Sequence, residues 1–186
     1  MTSLLFDPLA ERARFESRRA FLEHFWSMAL EPEPGIRLQP ETAASVADQV
    51  AETLLAEGID PLSADREDLD EAWSSFGVLS PRRESKGWTL AATLMLAYPD
   101  SERNERLAAL QGFPDQLLLE LSDGTLEGPH VDRGTATEAD RLPSVLALRW
   151  YVPDGAVPVA LLSDHPVVHG RFPAPPSWKD WIPALS

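Results

Sequence analysis

Residues 88–97 are apolar at nearly every position (GWTLAATLMLAYPD), which suits a strand covered on both faces or set at the centre of a sheet. Pro99 cannot donate to a strand ladder, so this strand is predicted to stop at Tyr98. Ser101 is placed to cap a short helix, whose Leu107, Leu110 and Gln111 complete a turn or two before Gly112 ends it. Leu117, Leu119 and Leu121 then alternate with Leu118 and Glu120, the period of a second strand. This strand–helix–strand unit is the part around which the rest of the chain is expected to pack.

Upstream, residues 8–30 read as a first helix, with Pro8 at its first position after Asp7 and an apolar stripe through Leu9, Ala13, Phe21, Phe25 and Met28. Residues 31–35 (EPEPG) read as a linker or turn, and residues 36–38 as a short extended piece. A second helix is predicted over 41–57, apolar at Ala43, Val46, Ala47, Val50 and Leu54 and ended by Gly58. A third, over 63–75, turns Leu62, Leu69, Trp73 and Phe76 inward, and 77–86 reads as a loop. Downstream, Asp123-Gly124 is a turn signal, with 126–131 as its hairpin partner and 132–142 as a polar surface loop. Residues 144–152 form a further strand, and 157–162 are expected to return antiparallel, with Pro158 at an edge or at the strand start. Trp178, Trp181 and Ile182 in the proline-rich tail are expected to pack back on the body.

The pattern predicts an α+β fold, an antiparallel sheet of about four strands with N-terminal helices packed on one face. At 186 residues the chain is read as a single domain: 1–76 mainly helical, 87–165 sheet, 166–186 a Pro/Trp-rich tail. No apolar run approaches the roughly 20 residues that span a bilayer, and the N-terminus lacks the basic start of a signal peptide. A cytoplasmic location, with no membrane partner, is the expectation.

Composition narrows the chemistry. There are no cysteines, which excludes disulfides, thiolate metal sites and a thiol nucleophile. The net charge is -14, and residues 31–75 hold twelve acids against Arg37 and Arg66. That field repels phosphate backbones, so nucleic acid is not an expected partner. The acidic stretch is either a solvated face or a docking surface for a basic partner.

The candidate residues are few. His165 and His169 lie four apart, but Pro166 and Gly170 disfavour the continuous helix that a zincin pair needs. Asp164 and His165 at a strand end could join His24 as metal ligands; the alternative is a turn in which Asp164 caps backbone amides and His165 is half exposed. Arg149 shares a strand face with Val145 and Ala147, opposite Leu146, Leu148 and Trp150. It is either a clamp for an anion or a guanidinium that pairs with a carboxylate or reaches solvent. No nucleophile elbow, phosphate loop or dinucleotide fingerprint is present.

The segment GWTLAATLMLAYPDSERNERLAALQGFPDQLLLEL, the strand PSVLALRWYV, the terminal SDHP and the upstream ESRRAFLEH together resemble a bacterial family of unknown function, domain family 3501, as a divergent member. That family carries a W-x-A-T segment leading to YPD, an S-S-V-H-F-L-R strand, a D-H-P and an arginine-rich first helix. The resemblance carries over to Arg18, His24, Trp88, Tyr98, Pro99, Asp100, Ser144, Val145, Arg149, Asp164, His165 and Pro166. It implies ligand- or anion-binding candidates at Arg18, Tyr98, Asp100 and Arg149, and metal candidates at His24, Asp164 and His165. The family's strand histidine is Leu146 here, and its acid- and glutamine-rich second helix is reduced to Asp48, Gln49 and Glu52. If the family holds a metal or redox group there, this chain has kept the scaffold without it. By gene company the family resembles an accessory to rubrerythrin-like and iron–sulfur oxidoreductase systems.

Two functions follow as expectations. The first is a non-enzymatic accessory protein of a bacterial metabolic or redox system, binding a protein partner or a second copy of itself and needing no cofactor. The second is a small metal- or anion-binding enzyme, with iron, zinc or manganese held between the first helix and the sheet.

Overall fold

The computed structural model describes residues 18–132 and 141–183. The expected start of the first helix at Pro8 and most of the 132–142 loop therefore lie outside the described residues. The chain runs α1 (Arg18–Ser27), β1 (Leu30–Glu33), β2 (Ile36–Pro40), α2 (Ala43–Ala56), α3 (Arg66–Phe76), β3 (Arg82–Glu84), β4 (Gly87–Leu96) and α4 (Asp100–Ala109). It continues through β5 (Leu118–Leu121), β6 (Leu126–Glu127), β7 (His130–Asp132), β8 (Val145–Pro153), β9 (Pro158–Asp164) and β10 (His169–Pro173). The α+β class and the antiparallel pairing hold, but the strands divide into two sheets. One has the order β1-β2-β4-β8-β7, with β3 also on β4, and the other is β10-β9-β5-β6.

β4 is the centre of the first sheet, as its unbroken apolar run requires. It pairs with β8 along its whole length, from Gly87↔Pro153 to Met95↔Val145. On its other side β2 takes the C-terminal half and β3 the N-terminal end. The predicted loop over 77–86 thus contains a short strand. Of the predicted linker or turn over 31–35, residues 34–35 do make a turn, while 31–33 belong to β1 of the hairpin it closes, with Glu33 paired to Ile36. Gly35 makes that turn with φ +84°, where a Cβ would stand 2.7 Å from the Tyr98 ring.

The connections after β4, β6 and β8 carry the chain from one sheet to the other. Pro129 has no N–H with which to extend β6, so the predicted hairpin partner splits into β6 on the second sheet and β7 on the first. The return after β8 likewise leaves its sheet: β9 pairs with β5 and β10, not with β8. Pro158 opens β9, the position at which a missing N–H is tolerated. The helix after Pro99 starts one residue before the expected cap, at Asp100, and no side chain caps it. α2 and α3 have side-chain caps at Thr42 and Asp65.

The facing sides of the two sheets make the main core. Leu90, Leu94 and Leu96 of β4, together with Leu146, Leu148, Trp150 and Val152 of β8, meet Leu119, Leu121 and Leu161 of β5 and β9. Trp178 and Trp181 do pack back, both buried, and Ile182 packs against the same core. Each buried indole N–H has an acceptor: Trp150 donates to Leu117 O, Trp178 to Met28 O and Trp181 to Ala91 O. No helix among the described residues is long and apolar enough to cross a membrane.

Candidate functional site on the outer sheet face

The odd-numbered residues of β4 and β8 point away from the core, so Thr89, Ala91, Thr93 and Met95 share a face with Val145, Ala147, Arg149 and Tyr151. β2 adds Gln39 beside Thr93, and β7 adds His130 beside Arg149 and Asp132 beside Ala147. Two groups of polar side chains gather on this face.

The first group centres on Glu41, which is 3% exposed. Its backbone N–H extends the β2 ladder to Ala91 O, and its side chain turns along α2. Thr93 Oγ1 donates to one carboxylate oxygen at 2.6 Å, and the other accepts from Ser45 Oγ at 2.7 Å and Gln49 Nε2 at 3.1 Å. Burial pushes the Glu41 carboxyl above the usual carboxylate range; the bonds from Thr93, Ser45 and Gln49 pull part of the way back. Asp48 is buried on the same helix, and the amide of Gln39 reaches Phe25 O in α1. Gln39 Oε1 is buried without a hydrogen-bond partner among the described residues.

The second group is Arg149 with Asp132 and His130. The Arg149 side chain is 22% exposed, and Nη2 stands 3.6 Å from Asp132 Oδ2. Glu41 and Arg149 flank Ala91 in one cross-strand row, about 10 Å apart at the backbone by the usual strand spacing. The face thus combines a buried acid, held above the usual carboxylate range, with a partly exposed guanidinium paired to Asp132.

The other sequence-derived candidates lie in separate contacts. Arg18 opens α1, and its side chain lies outside the described residues. His24 Nε2 is 3.8 Å from Asp180 Oδ2. Tyr98 packs half-buried between Gly35 and Arg106, which lies 5.9 Å from the ring centre, and burial raises its phenol. Asp100 is exposed and pairs with Arg103 at 2.6 Å. Asp164 is exposed and lies 3.7 Å from His169.

His165 is 4% exposed rather than half exposed. Its Nδ1 accepts from Val167 N–H at 3.3 Å and its Nε2 donates to Gln111 O at 3.1 Å, with Phe113 edge-on to the ring. Ser163, not Asp164, supplies the side chain that caps this turn. Among the described residues no three His, Asp or Glu side chains gather as a metal site would need.

Glu41 is not among the sequence-derived site residues, because an acid in the first turn of a helix is ordinarily solvated. The signal was present in the spacing: Ser45 and Gln49 follow at four and eight residues, on the same helix face.

A family model described as a protein of unknown function, DUF3501, matches residues 8–180. A solved structure, a novel protein of unknown function from Burkholderia pseudomallei, is similar in fold, with a TM-score of 0.70 and 22% identity over 93% of this chain and 88% of that one. No curated protein matches the chain.

Proposed function

The chain belongs to the DUF3501 family, and from that premise we propose that it is a non-enzymatic accessory protein that binds a basic protein partner. The observation that carries this reading is the α2–α3 hairpin. Glu52, Glu57, Asp60, Asp65, Glu67, Asp70 and Glu71 are exposed along it, and Arg66 is its one basic residue. Exposed apolar side chains stand among those acids: Leu62 is 86% exposed and Leu55 50%. Scattered acids alone would serve solubility. Bare leucines in an acidic setting suit a surface that loses its water to a partner with basic and apolar groups. The partner fits a bacterial metabolic or redox system, in the cytoplasm; the chain's net charge speaks against nucleic acid.

Charge reversal tests this. Glu67→Lys with Glu71→Lys, and separately Leu62→Ser, should abolish a stoichiometric complex that the unaltered chain forms in its host extract and that weakens with salt. The captured protein, once identified and purified, should rebind the unaltered chain alone. Retention of the complex by both variants, or self-association through another face, overturns the assignment of this surface.

A further inference from the structure

We propose that a proton on Glu41 closes a hydrogen-bond chain, Glu41–Thr93–Gln39, that latches α2 to the first sheet and to α1, and that loss of this proton opens the latch. The device does not need the partner-binding reading.

The chain begins at an unmatched acceptor. Gln39 is 1% exposed, and its amide nitrogen donates to two backbone carbonyls, Phe25 O of α1 at 2.9 Å and Pro40 O at 3.4 Å. Those bonds settle which end of the amide is which, since turning it over would set its oxygen against both carbonyls. Gln39 Oε1 is then left buried with no donor among the described residues, an unfavourable position. Thr93 is its direct partner across the β2–β4 ladder, on the same sheet face. Opposite side chains in such a ladder stand about 5 Å apart at Cβ, a span that a hydroxyl and an amide can close.

The Thr93 hydroxyl has one hydrogen, and the charge on Glu41 decides where it goes. Beside an ionised carboxylate it must donate to Oε1, 2.6 Å away, and Gln39 Oε1 stays empty. With a proton on Oε1 the bond reverses: the acid donates to Thr93 Oγ1, and the freed hydroxyl hydrogen turns to Gln39 Oε1. The contacts of Glu41 are divided as a neutral acid needs. Oε2 takes both Ser45 Oγ at 2.7 Å and the donor-only amide nitrogen of Gln49 at 3.1 Å, the role of a carbonyl oxygen, while Oε1 faces a hydroxyl that can accept. Burial of the carboxyl favours the same form.

The charged and titratable groups on the surrounding elements are Asp48 on α2, Arg37 on β2 with Glu31, Arg149 on β8 with Asp132, His130 on β7, and His24 on α1 with Asp180. The β4 residues opposite β2 carry no charge. Release of the proton leaves a buried charge and an empty acceptor together. α2 is the element that can yield, because its Val50 and Leu54 pack with Ala72 of α3 and not in the main core.

The glutamate carboxyl carbons of the full chain, labelled with carbon-13, are followed by NMR as pH is raised. Amide hydrogen exchange is read at the same pH values, with its intrinsic base dependence divided out. The Glu41 carboxyl is the resonance missing in Glu41→Gln. Gln39→Met is expected to lower its proton affinity about tenfold, because the neutral acid loses the end of its chain. In a Thr93→Val background the same substitution should do nothing, the link being already cut. The α2 amides should lose protection as pH passes the Glu41 midpoint while those of β8 keep theirs, and Glu41→Gln should hold α2 protected throughout. An unchanged midpoint in Gln39→Met, an equal shift with Thr93→Val in place, an exchange step that persists in Glu41→Gln, or one that is lost in Asp48→Asn instead would overturn the proposal.

Discussion

Thr93 Oγ1 on the central strand lies 2.6 Å from the carboxylate of Glu41, which has entered the fold fifty-two residues earlier. This bond fastens the start of α2 to the middle of the first sheet, and it sits in a place that disfavours charge. The folded state therefore binds a proton at Glu41 more readily than the unfolded chain does. Stability contributed by that difference is present below the ordinary carboxylate range and is lost as pH rises from there through the raised folded value. Urea unfolding at a series of pH values should show that fall. Glu41→Gln, which keeps hydrogen-bonding capacity and cannot ionise, should flatten it, and Glu41→Ala should cost about 1–3 kcal/mol by stranding Ser45, Gln49 and Thr93. A slope unchanged in Glu41→Gln assigns the pH dependence elsewhere.

Trp181 should be among the most costly residues to truncate. Its ring is buried edge-on to both Trp150 and Trp178, with centroids 6.0 and 5.1 Å away. Trp181→Ala is expected to cost about 3–5 kcal/mol in thermal or denaturant unfolding. Trp181→Phe should cost less, because Ala91 O still accepts from Glu41 N–H when the indole donor is gone.

Gly35→Ala should act on Tyr98. The new methyl group meets the ring 2.7 Å away and must also hold a positive φ, a combination that displaces the ring or opens the β1–β2 turn. Burial raises the Tyr98 phenol, so its release should bring the titration back toward the ordinary tyrosine value. Phenolate absorbance, followed in a Tyr151→Phe background, reads this directly; a titration left in place means that the turn absorbs the methyl group without moving the ring.

His165 should be held as the Nε2–H tautomer, since Nδ1 accepts from Val167 N–H and Nε2 faces Gln111 O. Long-range nitrogen-15 spectra of the ring distinguish the tautomers. Elemental analysis belongs with that measurement: stoichiometric iron, zinc or manganese would require a ligand set other than these occupied ring nitrogens.

The elements were far more legible than their partnerships. β4 and β8 announce themselves by apolar runs bounded by Pro99 and Pro153, and the outward placing of Arg149 follows from strand alternation alone. The division into two sheets did not follow, because the choice between β8 and β5 as the neighbour of β9 depends on contacts distant in sequence. Asp154-Gly155 looks the same whether the chain turns within a sheet or crosses between two. The burial of Glu41 and of His165 is not legible for a related reason: exposure is set by what packs over a residue, and Thr93 and Phe113 are remote from them in the chain.

The tryptophans of the tail also set the order of events during synthesis. Trp181 donates to a strand that emerges from the ribosome ninety residues earlier. Until it appears, the two sheets can pair their strands, yet the gap beside Trp150 stays open to water. Between the synthesis of Ala91 and that of Trp181 the nascent protein therefore keeps an unsealed interior, in the interval when a chaperone would find its grip.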